Sequence, residues 1–195
     1  MTGPDCEFTH IPDFLSQAEA DGLWNTLMAD SSRLSNEIRM GDGSVFHMPH
    51  GKTMFTDARF MNSSEFPVHH GKREIWLESL RPVKSRVEAT TGYNFQVGVT
   101  LLYPDGAVGI DFHVDPPAFG STRCIPSLSL GAERTFVLRR IDDPSECHET
   151  KLTHGSLVVM GTGCQKRYEH AVLLDPDVTE PRINITFRMI GNGTA

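Results

Sequence analysis

The segment His113-Val114-Asp115 carries the most pointed chemistry in this chain. Residues i and i+2 of a strand share a face, so its imidazole and carboxylate converge while Phe112 and Val114 turn to the other layer. Two such ligands joined by a distant histidine form the facial triad that holds non-haem Fe(II) and leaves coordination positions open. An HxD triplet also ends many solvent-facing strands, so by itself the motif is weak.

A second feature lies near the C-terminus, where the stretch from Arg182 to Met189 alternates without a break. Arg182, Asn184, Thr186 and Arg188 fall on one face; Ile183, Ile185, Phe187 and Met189 fall on the other. A half-buried strand can turn such a polar face to water. Two guanidiniums, an amide and a hydroxyl on one short face suit a dicarboxylate equally well, because arginine grips carboxylates bidentately.

The third ligand must come from the remaining histidines. His170 is favoured by context, since it sits in the strand-like run from Tyr168 to Val172, shortly before the arginine strand. His154 opens a Gly155-Ser156 turn and His148 lies in an acidic loop. His69 and His70 precede a helix and read as exposed. His10, His47 and His50 belong to the N-terminal part, where a surface role is favoured over a substrate-facing one.

These residues need elements to position them. Ser16 and Glu19 form a capping box, and Ala20, Leu23, Trp24, Leu27 and Met28 recur at helical spacing, which predicts a helix near 17–29. From 37 to 60 the pattern is strand-like, with turns expected at Asp42-Gly43 and at Pro49-His50-Gly51. Trp76, Leu80, Val83 and Val87 predict a helix or helix pair over about 75–91, with Pro82 near its start and Gly92 closing it. Strands are expected at 95–103, 109–114, 126–130, 134–140, 156–160, 168–173 and 182–190. The acidic stretch 141–151 reads as a surface loop. The fold class is therefore α+β, mainly β: a jelly-roll-like double sheet with the N-terminal helices packed on one sheet.

With 195 residues the chain is expected to form one domain, with about 1–75 as an N-terminal helix and substrate-lid region and about 76–190 as a helix plus a catalytic β-core. A hydrophobic fraction of 38% with 22% charged residues excludes wholesale disorder. No apolar run is long enough to span a bilayer, and no secretory signal opens the chain, so a cytoplasmic location is expected, with no obligate protein partner evident. The net charge of −7 means that any polyanion site must be a local patch. Cys6, Cys124, Cys147 and Cys164 show no regular spacing and read as reduced thiols.

The HxD triplet, the later His170 and the Arg-x-Asn-x-Thr-x-Arg strand together resemble the AlkB-like family of Fe(II)/2-oxoglutarate dioxygenases. The segments 127–136, 154–160 and 165–170 strengthen the resemblance, which covers about 80–190 well and the N-terminal third loosely. It implies a double-stranded β-helix. It implies that His113, Asp115 and His170 ligate Fe(II), and that Arg182 pairs with the distal carboxylate of 2-oxoglutarate, assisted by Asn184 and Tyr103. Arg188 would lie near the metal end and steady Asp115. The implied reaction consumes O2 and 2-oxoglutarate, releases succinate and CO2, and oxidises a substrate C–H bond. Where that carbon is bonded to nitrogen, the product collapses to an aldehyde and a free amine.

Substrate choice is less well marked. Members that repair nucleic acids commonly carry acidic residues just after HxD, whereas this chain has Pro116, Pro117, Ala118, Phe119 and Gly120. An Asn often found two residues before the cosubstrate tyrosine is Leu101 here. Candidate substrate contacts are Phe46, His47, Lys52, Pro117 and Phe119, as stacking, basic or wall residues. For a nucleic-acid substrate, Lys52, Arg39, Lys72, Arg73 and Arg81 are expected to make a basic patch beside the metal. The leading expectation is demethylation of N-alkylated bases in DNA or RNA. The alternative is a hydroxylase or demethylase of a small molecule, amino acid or protein side chain; a third is a metal-binding β-barrel without catalysis.

Overall fold

The computed structural model describes residues 3–40, 42–63, 72–117 and 120–191, with the backbone alone at 38 and 39. The polypeptide opens with strand β1 (Phe8–Ile11) and helix α1 (Gln17–Met28). The expected capping box is present: Glu19 N–H donates to Ser16 Oγ, and Ser16 N–H donates to the Glu19 carboxylate at 2.9 Å. Leu23 and Leu27 face inward at the expected period.

Strands β2 (Ser35–Arg39) and β3 (Val45–Thr56) follow as an antiparallel hairpin around Asp42-Gly43. The turn expected at Pro49-His50-Gly51 is absent. These residues instead continue β3, and the register between β2 and β3 shifts opposite them, so the extra length is taken up as a bulge. Gly51 is required there because the Leu34 carbonyl leaves no room for a Cβ.

The second helix also departs from expectation. Residues 73–75 form a short strand, β4 (Arg73–Ile75), parallel to β3, and α2 runs only over Arg81–Thr91, with Pro82 in its first turn and Gly92 as a left-handed cap. Trp76 precedes the helix but still plugs the core, stacked on Phe187 with ring centroids 6.1 Å apart. Then come β5 (Val97–Tyr103), β6 (Ile110–His113), β7 (Ile125–Gly131) and β8 (Arg134–Arg140). The supposed loop after β8 contains strand β9 (Cys147–Leu152), paired to β8 along its length. The chain finishes with β10 (Leu157–Met160), the one-turn helix α3 (Cys164–Arg167), β11 (Tyr168–Val172) and β12 (Arg182–Arg188).

The strands form two sheets. The larger runs β1-β10-β7-β12-β5-β3-β2 with β4 joined to β3, and the smaller runs β6-β11-β8-β9. Ile183, Ile185 and Phe187 pack under α1 and α2 with Leu23, Leu27, Val83 and Val87. Tyr103, Ile125, Phe136, Leu138 and Val158 fill the space between the sheets. This is the expected jelly-roll with helices on one sheet. Cys6 and Cys164 are joined as a disulfide with Cα atoms 5.2 Å apart, which corrects the reduced reading for that pair; the thiols of Cys124 and Cys147 are free. No helix among the described residues is long and apolar enough to cross a membrane.

Candidate metal centre

Both faces of β12 are covered, which decides between the two readings of its polar side. Arg182 is 1% exposed and Arg188 5%, so the guanidiniums point between the sheets rather than into water. A buried charge must find partners. Arg188 Nη1 donates to Asp115 Oδ1 at 3.1 Å, and its Nη2 donates to the Pro116 carbonyl at 2.6 Å. Arg182 donates from Nη2 to Ser129 Oγ at 2.9 Å and lies over the Tyr103 ring, 4.8 Å from its centroid. Its Nε and Nη1 are buried with no partner among the described residues.

Opposite this strand, the smaller sheet presents the histidines. His113 and His170 are register partners across β6 and β11, with ring centroids 4.3 Å apart. Asp115 follows β6, and its Oδ2 lies 3.6 Å from His170 Nε2. The three side chains offer ligand atoms that all lie within 4.8 Å of one another. His113 Nδ1 is 2.8 Å from the Asp111 carbonyl, which leaves Nε2 free to ligate. Burial pushes His170 down to about 4, so it is neutral at pH 7, the form that a metal needs. His154 is elsewhere: its Nδ1 accepts from the Gly131 N–H at 2.8 Å, and its Nε2 sits 3.2 Å from Asp21. Of the candidates for third ligand, the geometry brings His170 to the pair.

One cavity of about 260 Å³ touches the triad, Tyr103, Arg182 and Arg188. Asn184 and Thr186 line it too, yet the Asn184 amide donates to Ser127 Oγ at 2.6 Å and to the Leu128 carbonyl at 3.1 Å, while Thr186 donates to its oxygen. Asn184 therefore braces the wall with both amide hydrogens already engaged.

Three contributors escaped the sequence reading. Ser127 and Ser129 were visible as alternate residues of β7, but nothing marked their hydroxyls as partners of Asn184 and Arg182. Gln165, on α3, accepts the Asp115 backbone N–H at 2.8 Å and so ties the metal-ligand loop to the turn before His170. No local sequence pattern announces that contact.

The substrate candidates separate. Lys52 lines the cavity; Phe46 and His47 are exposed on the β2–β3 hairpin, and Pro117 is exposed beside the metal-ligand loop. Phe119 lies outside the described residues. Among the described residues expected to form a basic patch, three already have partners of their own. Lys72 pairs with Glu74 at 2.9 Å, Arg81 pairs with Glu78 at 2.9 Å, and Arg73 donates to the carbonyls of Phe60, Met61 and Ser63. The Arg39 side chain falls outside the description.

A three-residue ligand set beside a pair of buried arginines suits a divalent metal and a dicarboxylate. The family model for the 2OG-Fe(II) oxygenase superfamily matches residues 7–188. The chain belongs to this superfamily. It is 35% identical to the mouse protein named alpha-ketoglutarate-dependent dioxygenase alkB homolog 3, over 92% of this chain and 64% of the relative. It is 36% identical to bovine DNA oxidative demethylase ALKBH2, over 96% of this chain and 69% of that protein. The chain thus spans about two thirds of the length of these relatives. The solved structure of OsALKBH1 superposes with a TM-score of 0.66 at 13% identity, covering 96% of this chain and all of that one, a likeness of fold. The superfamily uses Fe(II), 2-oxoglutarate and O2, and the residues here fit that set. The triad supplies two imidazoles and a carboxylate, and the orphaned N–H groups of Arg182 await an anion.

Proposed function

We propose that this chain is an Fe(II)/2-oxoglutarate-dependent dioxygenase that demethylates N-alkylated bases of DNA or RNA. The observation that carries the reaction class is Arg182: a fully buried guanidinium beside Tyr103, with two nitrogens that no described residue accepts from, in the same cavity as a His-Asp-His cluster. The names of the alkB homolog 3 and ALKBH2 relatives support the substrate class.

In this reading Arg182, with Ser129 and Tyr103 around it, receives the distal carboxylate of 2-oxoglutarate. Arg188 holds the Asp115 carboxylate in the ligating position, and Gln165 fixes the backbone beneath it. Bound Fe(II) supplies the activation of oxygen that oxidises the substrate carbon. The apolar wall of Phe136, Leu152 and Met160 excludes water from the reacting centre. The exposed Phe46 ring and His47, on the hairpin, are the groups offered for stacking on a base.

A second reading, oxidation of a small molecule, amino acid or protein side chain, is favoured by Pro116 and Pro117 after the ligand Asp115 and by the ion-paired state of Lys72 and Arg81. Succinate release in the presence of Fe(II) and 2-oxoglutarate, compared across methylated oligonucleotides and a metabolite panel, separates the two. Stimulation by oligonucleotides carrying N-methylated bases is expected. Stimulation by a metabolite alone would favour the second reading.

A further inference from the structure

The cavity contains one charge that the site as described does not use. Lys52, in the second half of β3, lines it together with His113, Asp115 and Arg182. Its register partner on β5 is Leu101, and the partner of Leu101 on β12 is Asn184. Lys52, Leu101 and Asn184 therefore form one row across the larger sheet, next to the row that carries Tyr103 and Arg182.

Along this row only Lys52 has a donor to spare. Leu101 is apolar, and both hydrogens of the Asn184 amide are engaged by Ser127 and Leu128. The Lys52 ammonium makes no hydrogen bond or ion pair with a described residue, and burial holds its amine below the usual lysine value with no carboxylate to offset it. Arg188 is spent on Asp115 and the Pro116 carbonyl. Lys52 is half-buried, and a partly desolvated cation without a counter-ion costs stability that an incoming anion relieves.

We propose that Lys52 is a cosubstrate-binding residue whose ammonium pairs with a carboxylate of bound 2-oxoglutarate, giving the dianion a second cation besides Arg182. The inference rests on the 2-oxoglutarate reading of the pocket. It separates two jobs in the same row: Asn184 braces the wall, and Lys52 binds. It also removes Lys52 from the substrate contacts.

The test is calorimetric titration of 2-oxoglutarate into Mn(II)-loaded protein, using wild type, Lys52→Met, Lys52→Gln, Lys52→Arg and Arg182→Ala. Lys52→Met and Lys52→Gln should each weaken binding by about tenfold or more, and Lys52→Arg should stay within about threefold of wild type. Thermal unfolding without 2-oxoglutarate checks the fold: Lys52→Met should melt no lower than wild type, because it removes a half-buried charge that no described residue pairs. Oligonucleotide binding to protein saturated with 2-oxoglutarate should be unchanged in Lys52→Met. The inference is overturned if folded Lys52→Met and Lys52→Gln bind 2-oxoglutarate like wild type while Arg182→Ala does not, or if they lose oligonucleotide affinity instead. Failure of wild type itself to bind 2-oxoglutarate would overturn the pocket reading, an outcome visible before any variant is made.

Discussion

Arg188, at the end of β12, donates to Asp115 Oδ1 at 3.1 Å, so the last residue of one sheet fixes a metal ligand that hangs from the other. The contact joins the two layers at the point where the chemistry is expected. It also leaves Oδ2 turned toward His170.

Removing that brace should loosen the metal. Arg188→Ala is expected to weaken Mn(II) or Fe(II) affinity by roughly 10–100-fold, the range for losing a group that orients a ligand. Equilibrium dialysis with each metal reads this directly. Unchanged affinity would mean that Gln165 and the loop backbone hold Asp115 unaided.

At the other end of the strand, Arg182→Ala should act on the cosubstrate rather than on the fold. Truncating one partner of a buried charge pair costs about 2–5 kcal/mol of binding. The 2-oxoglutarate requirement should therefore rise by roughly 30- to 5,000-fold in steady-state assays. Stability without ligand should change far less, since two of the Arg182 donor groups have no protein partner to lose.

The metal-free protein should lose stability as the medium is acidified. Burial lowers His170 from 6.5 to about 4, so the unfolded chain takes up a proton before the folded one does. Stability is then complete above about pH 6.5 and falls as pH drops toward 4, by at most about 3 kcal/mol from this group. Urea unfolding at stepped pH should show the slope in wild type and a shallower one in His170→Gln. Equal slopes would place the acid sensitivity elsewhere.

The Cys6–Cys164 bond closes a loop with a sequence separation of 158 residues. In the chain-entropy account such a closure is worth about 5 kcal/mol. Reduction should lower the melting temperature of wild type and leave Cys6→Ser unaffected. If both respond alike, the pair does not form in solution.

How far the sequence carries this account depends on the range over which each signal acts. The His113-Val114-Asp115 triplet and the alternation from Arg182 to Arg188 were legible because strand periodicity is local, and the cavity-facing side chains follow from it. Helix α1 was legible through its own cap. Pro49-His50-Gly51 misled because a turn signal and a bulge signal use the same residues, and only the pairing with β2 and β5 separates them. Strand β9 was hidden because Cys147–Leu152 lies at the sheet edge and alternates exposed residues, two of them charged, with the half-buried polar His148 and Thr150, a pattern that reads as a loop. The pairing of Cys6 with Cys164 and the reach of Gln165 to Asp115 are contacts between segments far apart in sequence, which no spacing rule records. The pairing of Lys72 with Glu74 and of Arg81 with Glu78, by contrast, joins residues only two and three apart in sequence, so these local acidic neighbours were open to a sequence reading.

The measurement that bears most directly on the whole account is the stoichiometry of succinate to demethylated base, by mass spectrometry, on an oligonucleotide with a single N-methylated base. Wild type with Fe(II) and 2-oxoglutarate should give close to one succinate per methyl group removed. His113→Ala, Asp115→Ala and His170→Ala should give neither product, and His154→Ala should retain both. Base demethylation without succinate, or full turnover by His170→Ala, would contradict the metal centre proposed here.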